Sequence, residues 1–258
     1  MKIIDVHAHY EDEKFKDDLD EVMKKIKANG VCYVINAGAG LDSSLGAVNV
    51  AKKYPNVSCT IGIHPEFAKS NETVDNLRKL YEENKSKIVA IGEIGWDYHY
   101  TKENKEEQKQ LFKEQLEFAY EIGLPVQIHS RDASIDTISV LEETKNKPQK
   151  IMFHCFDLNP ETAKYIIKNG YSISVGGNIT YKRTNTAIDV LKNFPIDKIM
   201  TETDSPYLSP ASNRGKRNDS SNIREVIERI AEIKEMDKDV LADILYKNAI
   251  SFYNLKDL

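Results

Sequence analysis

The sequence has few cysteines and no paired thiols. The three cysteines, Cys32, Cys59 and Cys155, are odd in number, and two of them sit within apolar runs. Scattered cysteines of this kind argue against a disulfide framework, and the absence of a CxxC pair argues against a zinc site built on thiolates. A reducing, cytoplasmic environment is therefore the expected location.

Long apolar runs and a strong excess of positive charge are also lacking. No stretch approaches the length of a transmembrane helix, and the start of the chain has no apolar region typical of a secretory signal peptide. The formal net charge of -5 argues against a surface coated with positive charge to hold nucleic acid, although it is compatible with a local basic patch. We expect no association with a membrane.

Short apolar, β-branched runs alternate with longer amphipathic segments. The runs are too short for helices and too continuous for exposed antiparallel strands, so they indicate buried parallel strands. Eight such repeats favour a closed barrel, so we predict an α/β fold with a single (β/α)8 TIM barrel domain over residues 1–258. The length is close to that of a usual barrel, although length alone would also allow two smaller domains. An open doubly wound sheet is the alternative, but neither a GxGxxG nor a P-loop pattern supports it. The eight runs are Ile3–Val6, Val31–Ile35, Val57–Ile63, Ile88–Ile91, Pro125–Ile128, Ile151–Phe153, Tyr171–Val175 and Lys198–Thr201.

Apolar stripes with helical spacing lie between several of these runs. The clearest stripe ends at Gly123 with Pro125 just beyond, which predicts a helix stop there. The segment Ser205–Asn222, rich in Pro, Ser, Asn and Gly, is predicted to be a long loop after the eighth strand. Other stripes start at Phe15, Ile138, Ala163, Ile223 and Val240.

Side chains that can bind metals follow the predicted strands. His7 and His9 close the first strand, and the two-residue period of a strand puts both imidazoles on one face. The remaining candidates at strand ends are His64, Glu93, His129, His154 and Asp204. In a barrel these positions meet at the C-terminal face, where barrel enzymes build their active sites.

Four histidines and two carboxylates can hold two divalent ions if one carboxylate bridges. Glu93 is the natural bridge, and Asp204 could bind one ion and accept a proton from water. The mixed donor set suits Zn, Mn, Fe or Ni better than Ca. Mg is a further candidate ion. Taken singly, each histidine could be structural, Glu93 could belong to a turn, and Asp204 could cap a helix.

Basic and aromatic residues near the same strand ends are candidates for substrate binding. His64 and Arg131 could contact a phosphate, although Arg131 could instead form an ion pair with Asp132. A basic cluster in the loop after strand eight could grip a phosphate backbone or form a solvated charge run; it comprises Arg214, Lys216 and Arg217. The aromatics that could stack on bases, or simply pack, are Trp96, Tyr98 and Tyr207.

Seven motifs carrying these residues resemble, in order, those of the TatD family of metal-dependent hydrolases within the amidohydrolase superfamily. The resemblance implies a (β/α)8 barrel that hydrolyses phosphodiester bonds in DNA. It also implies the two ligand sets: His7, His9, Glu93 and Asp204 for one ion, and Glu93, His129 and His154 for the other. The chain departs from the family at Trp96, where leucine is frequent, and at Asp219–Ser220, where Glu-Pro is usual. The motifs span Asp5–His9, Gly62–Glu66, Gly92–Tyr98, Ile128–Arg131, Phe153–Phe156, Glu202–Leu208 and Arg214–Asn218.

Three functional hypotheses remain open. The first is a metal-dependent phosphodiesterase, acting on DNA or another nucleic acid, that attacks phosphorus with a metal-bound hydroxide, and the basic residues near the site favour it. The second is a metal-dependent amidase, esterase or lactonase acting on a small carbonyl substrate. The third is a metal-stabilised scaffold, which the open, carboxylate-bridged site disfavours because structural metal sites tend to be closed. No feature demands assembly, so we predict a monomer whose partner is its DNA substrate.

Overall fold

Strands and helices alternate in the computed structural model, which describes residues 1–99 and 103–256. The order of the eight strands in the sheet follows their order in the chain, and this confirms the predicted (β/α)8 barrel fold. The strands are β1 Ile3–Ala8, β2 Val31–Asn36, β3 Val57–Ile61, β4 Ile88–Asp97, β5 Val126–Arg131, β6 Ile151–Phe153, β7 Ser172–Val175 and β8 Ile199–Thr201. The helices are α1 Leu19–Ala28, α2 Leu41–Lys53, α3 Val74–Asn84, α4 Lys105–Ile122, α5 Ser134–Glu143, α6 Pro160–Lys168, α7 Asn185–Asn193, α8 Ile223–Lys234 and α9 Lys238–Tyr253. None of the helices in these two ranges has both the length and the apolar character needed to cross a membrane.

All eight predicted strands are present, but β4 continues beyond its predicted end at Ile91. It runs to Asp97 through two glycines that resemble turn residues in the sequence. Gly95 adopts a φ of 140°, and a Cβ there would lie 2.1 Å from the carbonyl oxygen of His129. Only glycine therefore allows β4 to approach β5 this closely. Glu93 consequently lies within a strand rather than in a turn.

The predicted helices are present, and α4 ends at Gly123 with a φ of 71°, as the sequence indicated. Three helices had no clear apolar stripe in the sequence: α2, α3 and α7. The only residue that α7 buries is Leu191, and its start depends instead on the Thr184 side chain, which accepts a hydrogen bond from the Ala187 N–H. α7 therefore depends on its cap and a small buried face, which a periodicity argument overlooks.

Residues 1–36 and 155–258 form one compact unit, called here the terminal unit. Within it β1 pairs in parallel with β2, and β7 pairs with β8. The backbone after β8 also lies against the end of β1: the Asp204 N–H donates to the His7 carbonyl at 2.9 Å, and the His9 N–H donates to the Ser205 carbonyl at 2.6 Å. These two bonds align the histidines of β1 with Asp204.

Residues 37–154 form a second compact unit, called here the central unit. Within it β3, β4, β5 and β6 pair in parallel in that order. The register places Gly95 opposite His129, and the His154 N–H donates to the Ile128 carbonyl at 3.0 Å. The ends of three neighbouring strands thus present their polar side chains to one another.

Candidate metal centre

The terminal unit brings two imidazoles and one carboxylate together. The Nε2 atoms of His7 and His9 lie 3.1 Å apart. The Oδ1 atom of Asp204 lies 3.6 Å from the first and 3.4 Å from the second. We call this group, which is one of several in the described residues that could hold a metal ion, the terminal cluster. The predicted pairing of His7 and His9 on one face is therefore present.

The terminal cluster attracts positive charge. Burial disfavours a charged His9, but hydrogen bonds to Asp204 and Glu11 outweigh it and hold the pKa of His9 well above its usual value. The Oε1 atom of Glu11 lies 3.5 Å from His9 Nδ1. Glu11 was not among the predicted site residues, although it follows His9 by two positions. It lies beside the nitrogen of His9 that does not face Asp204.

A buried carboxylate, Asp5, lies beneath the terminal cluster. It is fully buried, and its Oδ2 accepts hydrogen bonds from the hydroxyls of Thr203 and Ser220, both at 2.5 Å. Its Oδ1 accepts the N–H groups of Thr203 at 3.1 Å and His7 at 3.3 Å. Ser220 also contacts the Tyr10 hydroxyl at 2.6 Å. The network ties β1 to the segment after β8, and Ser220, one of the two departures from the TatD pattern, is part of it.

Asp5 gives a prediction for the pH dependence of stability. Burial raises the pKa of Asp5 from 3.8 to about 7 against the opposing effect of its hydrogen bonds. The folded protein then holds this proton where the unfolded chain has released it, so this group makes the free energy of unfolding fall with rising pH, by about 1 kcal/mol per pH unit. This stability is lost between the pKa of Asp5 in the unfolded chain and its pKa in the folded protein, and the loss is complete above the folded-state pKa.

The pH prediction is checked with urea titrations of metal-free wild type and Asp5→Asn at several pH values between the two pKa values. The difference in stability between the two proteins should shift in favour of the variant as the pH rises, because asparagine has no proton to release. A difference that does not change with pH would contradict the raised pKa.

The central unit gathers a second group, called here the central cluster, around Glu93. The Glu93 Oε1 atom lies 2.6 Å from His129 Nδ1 and 2.8 Å from His154 Nε2. His64 Nε2 is farther away, at 3.7 Å. All four side chains are largely or fully buried. Glu93, His129 and His154 are therefore brought together within this unit, as the sequence predicted.

Asp97, which was not among the predicted site residues, lies beside the central cluster. Its Oδ2 atom lies 2.8 Å from His129 Nε2, so His129 sits between two carboxylates. Burial opposes charge on His129, but Asp97 and Glu93 outweigh it and raise the pKa of this histidine. Burial likewise opposes charge on Glu93, but His154, His64 and His129 together hold its pKa well below the usual value. The cluster thus keeps Glu93 ionised and favours a cation beside it.

His64 differs from the other histidines of the central cluster. Its Nδ1 accepts a hydrogen bond from the Glu66 N–H at 3.2 Å, and burial lowers its pKa to about 4. A neutral imidazole carries one ring proton, so that proton belongs on Nε2, the atom that faces Glu93. His64 is therefore a neutral hydrogen-bond donor, which suits the predicted contact with a phosphate oxygen better than metal ligation.

The three residues of the predicted basic cluster lie in different environments. Arg217 makes a bidentate pair with Asp18, with N–O distances of 2.9 and 2.5 Å, and its guanidinium lies 4.7 Å from the Phe15 ring centroid. Arg214 lies 5.0 Å from the ring centroid of Tyr181 and is exposed, as is Lys216. Arg217 is thus engaged in a structural ion pair, while the other two side chains are accessible to a ligand.

The remaining substrate candidates differ in exposure. Arg131, the last residue of β5, is exposed. Trp96 and Tyr98 are buried, whereas Tyr207 is 45% exposed. Tyr98 donates its hydroxyl hydrogen to Asp136 at 2.6 Å. Of the three aromatics considered for stacking on bases, only Tyr207 is accessible.

Comparison with known proteins shows the family of this chain. The family model described as TatD related DNase matches residues 4–254. The chain belongs to the TatD family. A relative in Bacillus subtilis, named metal-dependent hydrolase YabD, is 35% identical over 98% of this chain and 99% of its own length. The crystal structure of the TatD homologue YjjV from Escherichia coli superposes with a TM-score of 0.90 at 27% identity, covering 98% of both chains. A TatD family hydrolase from Entamoeba histolytica gives 0.87 at 26% identity, again over 98% of both chains.

The donor sets of this TatD protein fit divalent metal ions. Each cluster contains imidazole nitrogens and a carboxylate oxygen that converge within contact distance. Such mixed nitrogen and oxygen donors are typical of transition-metal sites in hydrolases. In both clusters the carboxylates favour a positive charge among the imidazoles, which is the electrostatic environment that a bound cation requires. The TatD family relatives named metal-dependent hydrolases are consistent with this chemistry.

Proposed function

We propose that this TatD protein is a divalent-metal-dependent phosphodiesterase that cleaves DNA. The observation that carries the proposal is the central cluster, in which one ionised carboxylate oxygen contacts nitrogens of two histidines. Its neighbour His64 adds a neutral donor suited to a phosphate oxygen. The family description as TatD related DNase supports DNA as the substrate. A single domain over residues 1–258, a monomeric state and a cytoplasmic location stay predictions.

Two ions, chosen from Zn, Mn, Mg, Ni and Fe, would be held by the two clusters. His7, His9 and Asp204 would hold one, and Glu93, His129 and His154 would hold the other. The TatD resemblance adds Glu93 to the first ligand set, and this bridging role is part of the proposal. When bound, such ions acidify water and neutralise charge on a phosphoryl group.

The side chains of the two clusters would supply the remaining chemistry. Asp204 keeps 17% of its side chain exposed, more than His7 or His9, and its carboxylate would accept the proton of the attacking water. His64 would donate its Nε2 proton in a hydrogen bond to a non-bridging phosphate oxygen. Arg131, Arg214 and Lys216 would contact neighbouring phosphates from exposed positions.

The proposal is tested with purified protein loaded with each candidate ion in turn. End-labelled single- and double-stranded DNA should be cleaved, chelation should abolish cleavage, and added metal should restore it. An aryl phosphodiester and an aryl carboxylic ester serve as parallel substrates. Hydrolysis of the carboxylic ester alone would contradict the phosphodiesterase and support the alternative of an amidase, esterase or lactonase. Cleavage of neither DNA nor the phosphodiester by metal-loaded protein would refute the proposal.

The different environments of Arg214 and Arg217 predict different effects on DNA binding. Arg214→Ala should raise the Kd for DNA and, by removing one phosphate contact, reduce the slope of log K against log salt by about 0.7–0.9. Arg217→Ala should leave that slope unchanged because its guanidinium is paired with Asp18. Binding of labelled DNA at several salt concentrations measures both. A reduced slope in the Arg217 variant would show that this arginine contacts phosphate instead.

A further inference from the structure

Asp97 ends β4 beside the central cluster without being one of its proposed ligands. It is 2% exposed, and its Oδ2 lies 2.8 Å from His129 Nε2. His129 therefore presents its other ring nitrogen, Nδ1, to Glu93 at 2.6 Å and to His154 Nε2 at 3.3 Å. One side chain thus makes two separate contacts, one on each side of the imidazole ring.

We propose that Asp97 is the positioning residue that fixes the ring orientation and tautomer of His129. An imidazole that binds a metal is neutral and carries a single proton. If Nε2 donates that proton to Asp97, the lone pair of Nδ1 must face the ion beside Glu93. Carboxylates that hold metal-bound histidines in this way orient the ring and increase its basicity. The inference rests on the proposed metal centre and assigns no chemical step to Asp97.

The structure holds Asp97 itself firmly. The Gln108 side chain bonds to its backbone twice: Oε1 accepts the Asp97 N–H at 3.0 Å and Nε2 donates to the Asp97 carbonyl at 3.0 Å. Gln108 is 1% exposed and donates a further hydrogen bond to Asn104 Oδ1 at 2.8 Å. The first turns of α4 therefore fix the backbone of the residue that orients His129.

The two carboxylate oxygens of Asp97 have different partners. Oδ1 accepts the His99 N–H at 2.6 Å, and Oδ2 faces His129 Nε2. Both partners are donors, so the site requires two acceptors. Asparagine offers one acceptor, its carbonyl oxygen, and one donor, its amide NH2 group. In one orientation the NH2 group faces the His99 N–H, so two donors oppose each other. In the other orientation the NH2 group faces His129 Nε2 and forces the ring proton onto Nδ1, where the proton blocks metal binding.

The isosteric substitution Asp97→Asn is therefore the first test, with Asp136→Asn as the matched control. Asp136 lies in the same unit and accepts a hydrogen bond from Tyr98 rather than from a histidine of the cluster. Zinc affinity is measured by competition with a chromogenic chelator, on proteins whose fold is checked by circular dichroism. We expect Asp97→Asn to weaken zinc binding by about 10–100-fold and the control to match wild type.

The tautomer of His129 is measured independently on zinc-loaded wild type with 15N-labelled histidine. We expect nitrogen NMR to show the proton on Nε2 and the metal on Nδ1. The opposite assignment would overturn the proposal even if the variant failed to fold, and so would wild-type zinc affinity in a folded Asp97→Asn protein. A wild type that binds zinc but cleaves no DNA would refute the phosphodiesterase and leave the role of Asp97 intact. A wild type that binds none of the five candidate ions would overturn both.

Discussion

Glu93→Gln should lose bound metal and retain at most about 10⁻³ of the wild-type rate of DNA cleavage, because bound metals contribute several kcal/mol of charge stabilisation in the transition state. The Glu93 carboxylate contacts His129 and His154, and their combined charge keeps it ionised. Glutamine preserves the size of the side chain but offers no negative charge. The measurements are metal content per chain by mass spectrometry and initial cleavage rates.

Counting the ions also tests the bridge. If Glu93 serves both ions, the variant should lose both, whereas loss of one ion would restrict Glu93 to the set with His129 and His154. Glu66→Gln is the control, since Glu66 belongs to the same unit, undergoes the same substitution and has an exposed side chain. Full metal content and activity in Glu93→Gln would remove Glu93 from the metal centre altogether.

Asp5→Ala should lower the free energy of unfolding of the metal-free protein by about 3 kcal/mol or more, since each buried donor left without a partner costs about 1–3 kcal/mol. The donors concerned are the hydroxyls of Thr203 and Ser220 and the N–H groups of Thr203 and His7. Urea denaturation in the presence of a chelator measures the loss without the stabilising contribution of bound metal.

The exposed residue Asp17 provides the control for this measurement. Asp17→Ala lies on the same unit and should change the urea midpoint little, because surface substitutions usually fall within about 0.5 kcal/mol of wild type. Equal midpoints for the two variants would mean that the Asp5 network contributes little to folding. A large loss of stability confined to Asp5→Ala would show that the hydrogen-bond network of Asp5, next to the terminal cluster, contributes strongly to folding.

The main features of the fold follow from the sequence because buried parallel strands produce short apolar runs that are easy to recognise. In β4 the predicted strand ended too early because of its glycines. Gly92 and Gly95 are typical of a turn, yet β4 passes through them to Asp97. The close approach to His129 that requires glycine at position 95 depends on the neighbouring strand, and the sequence of β4 alone does not contain that information.

The candidate ligands could be predicted because they sit at strand ends, but their supporting partners were harder to find. With β4 extended to its full length, the two-residue period places Asp97 on the same face as Glu93. That signal was present but was hidden by the premature strand end. The pairing of Arg217 with Asp18 joins residues 199 positions apart. A single sequence gives no indication of so distant a partner.

The terminal unit combines residues 1–36 with residues 155–258, which are far apart in the sequence. During synthesis, His7 and His9 leave the ribosome before Asp204, which follows almost 200 residues later, and before Ser220, which lies 215 positions after its partner Asp5. The four side chains of the central cluster, by contrast, all lie between residues 37 and 154. A chain that terminates between residues 154 and 204 therefore carries the complete central cluster and the two histidines of the terminal cluster, but it lacks Asp204.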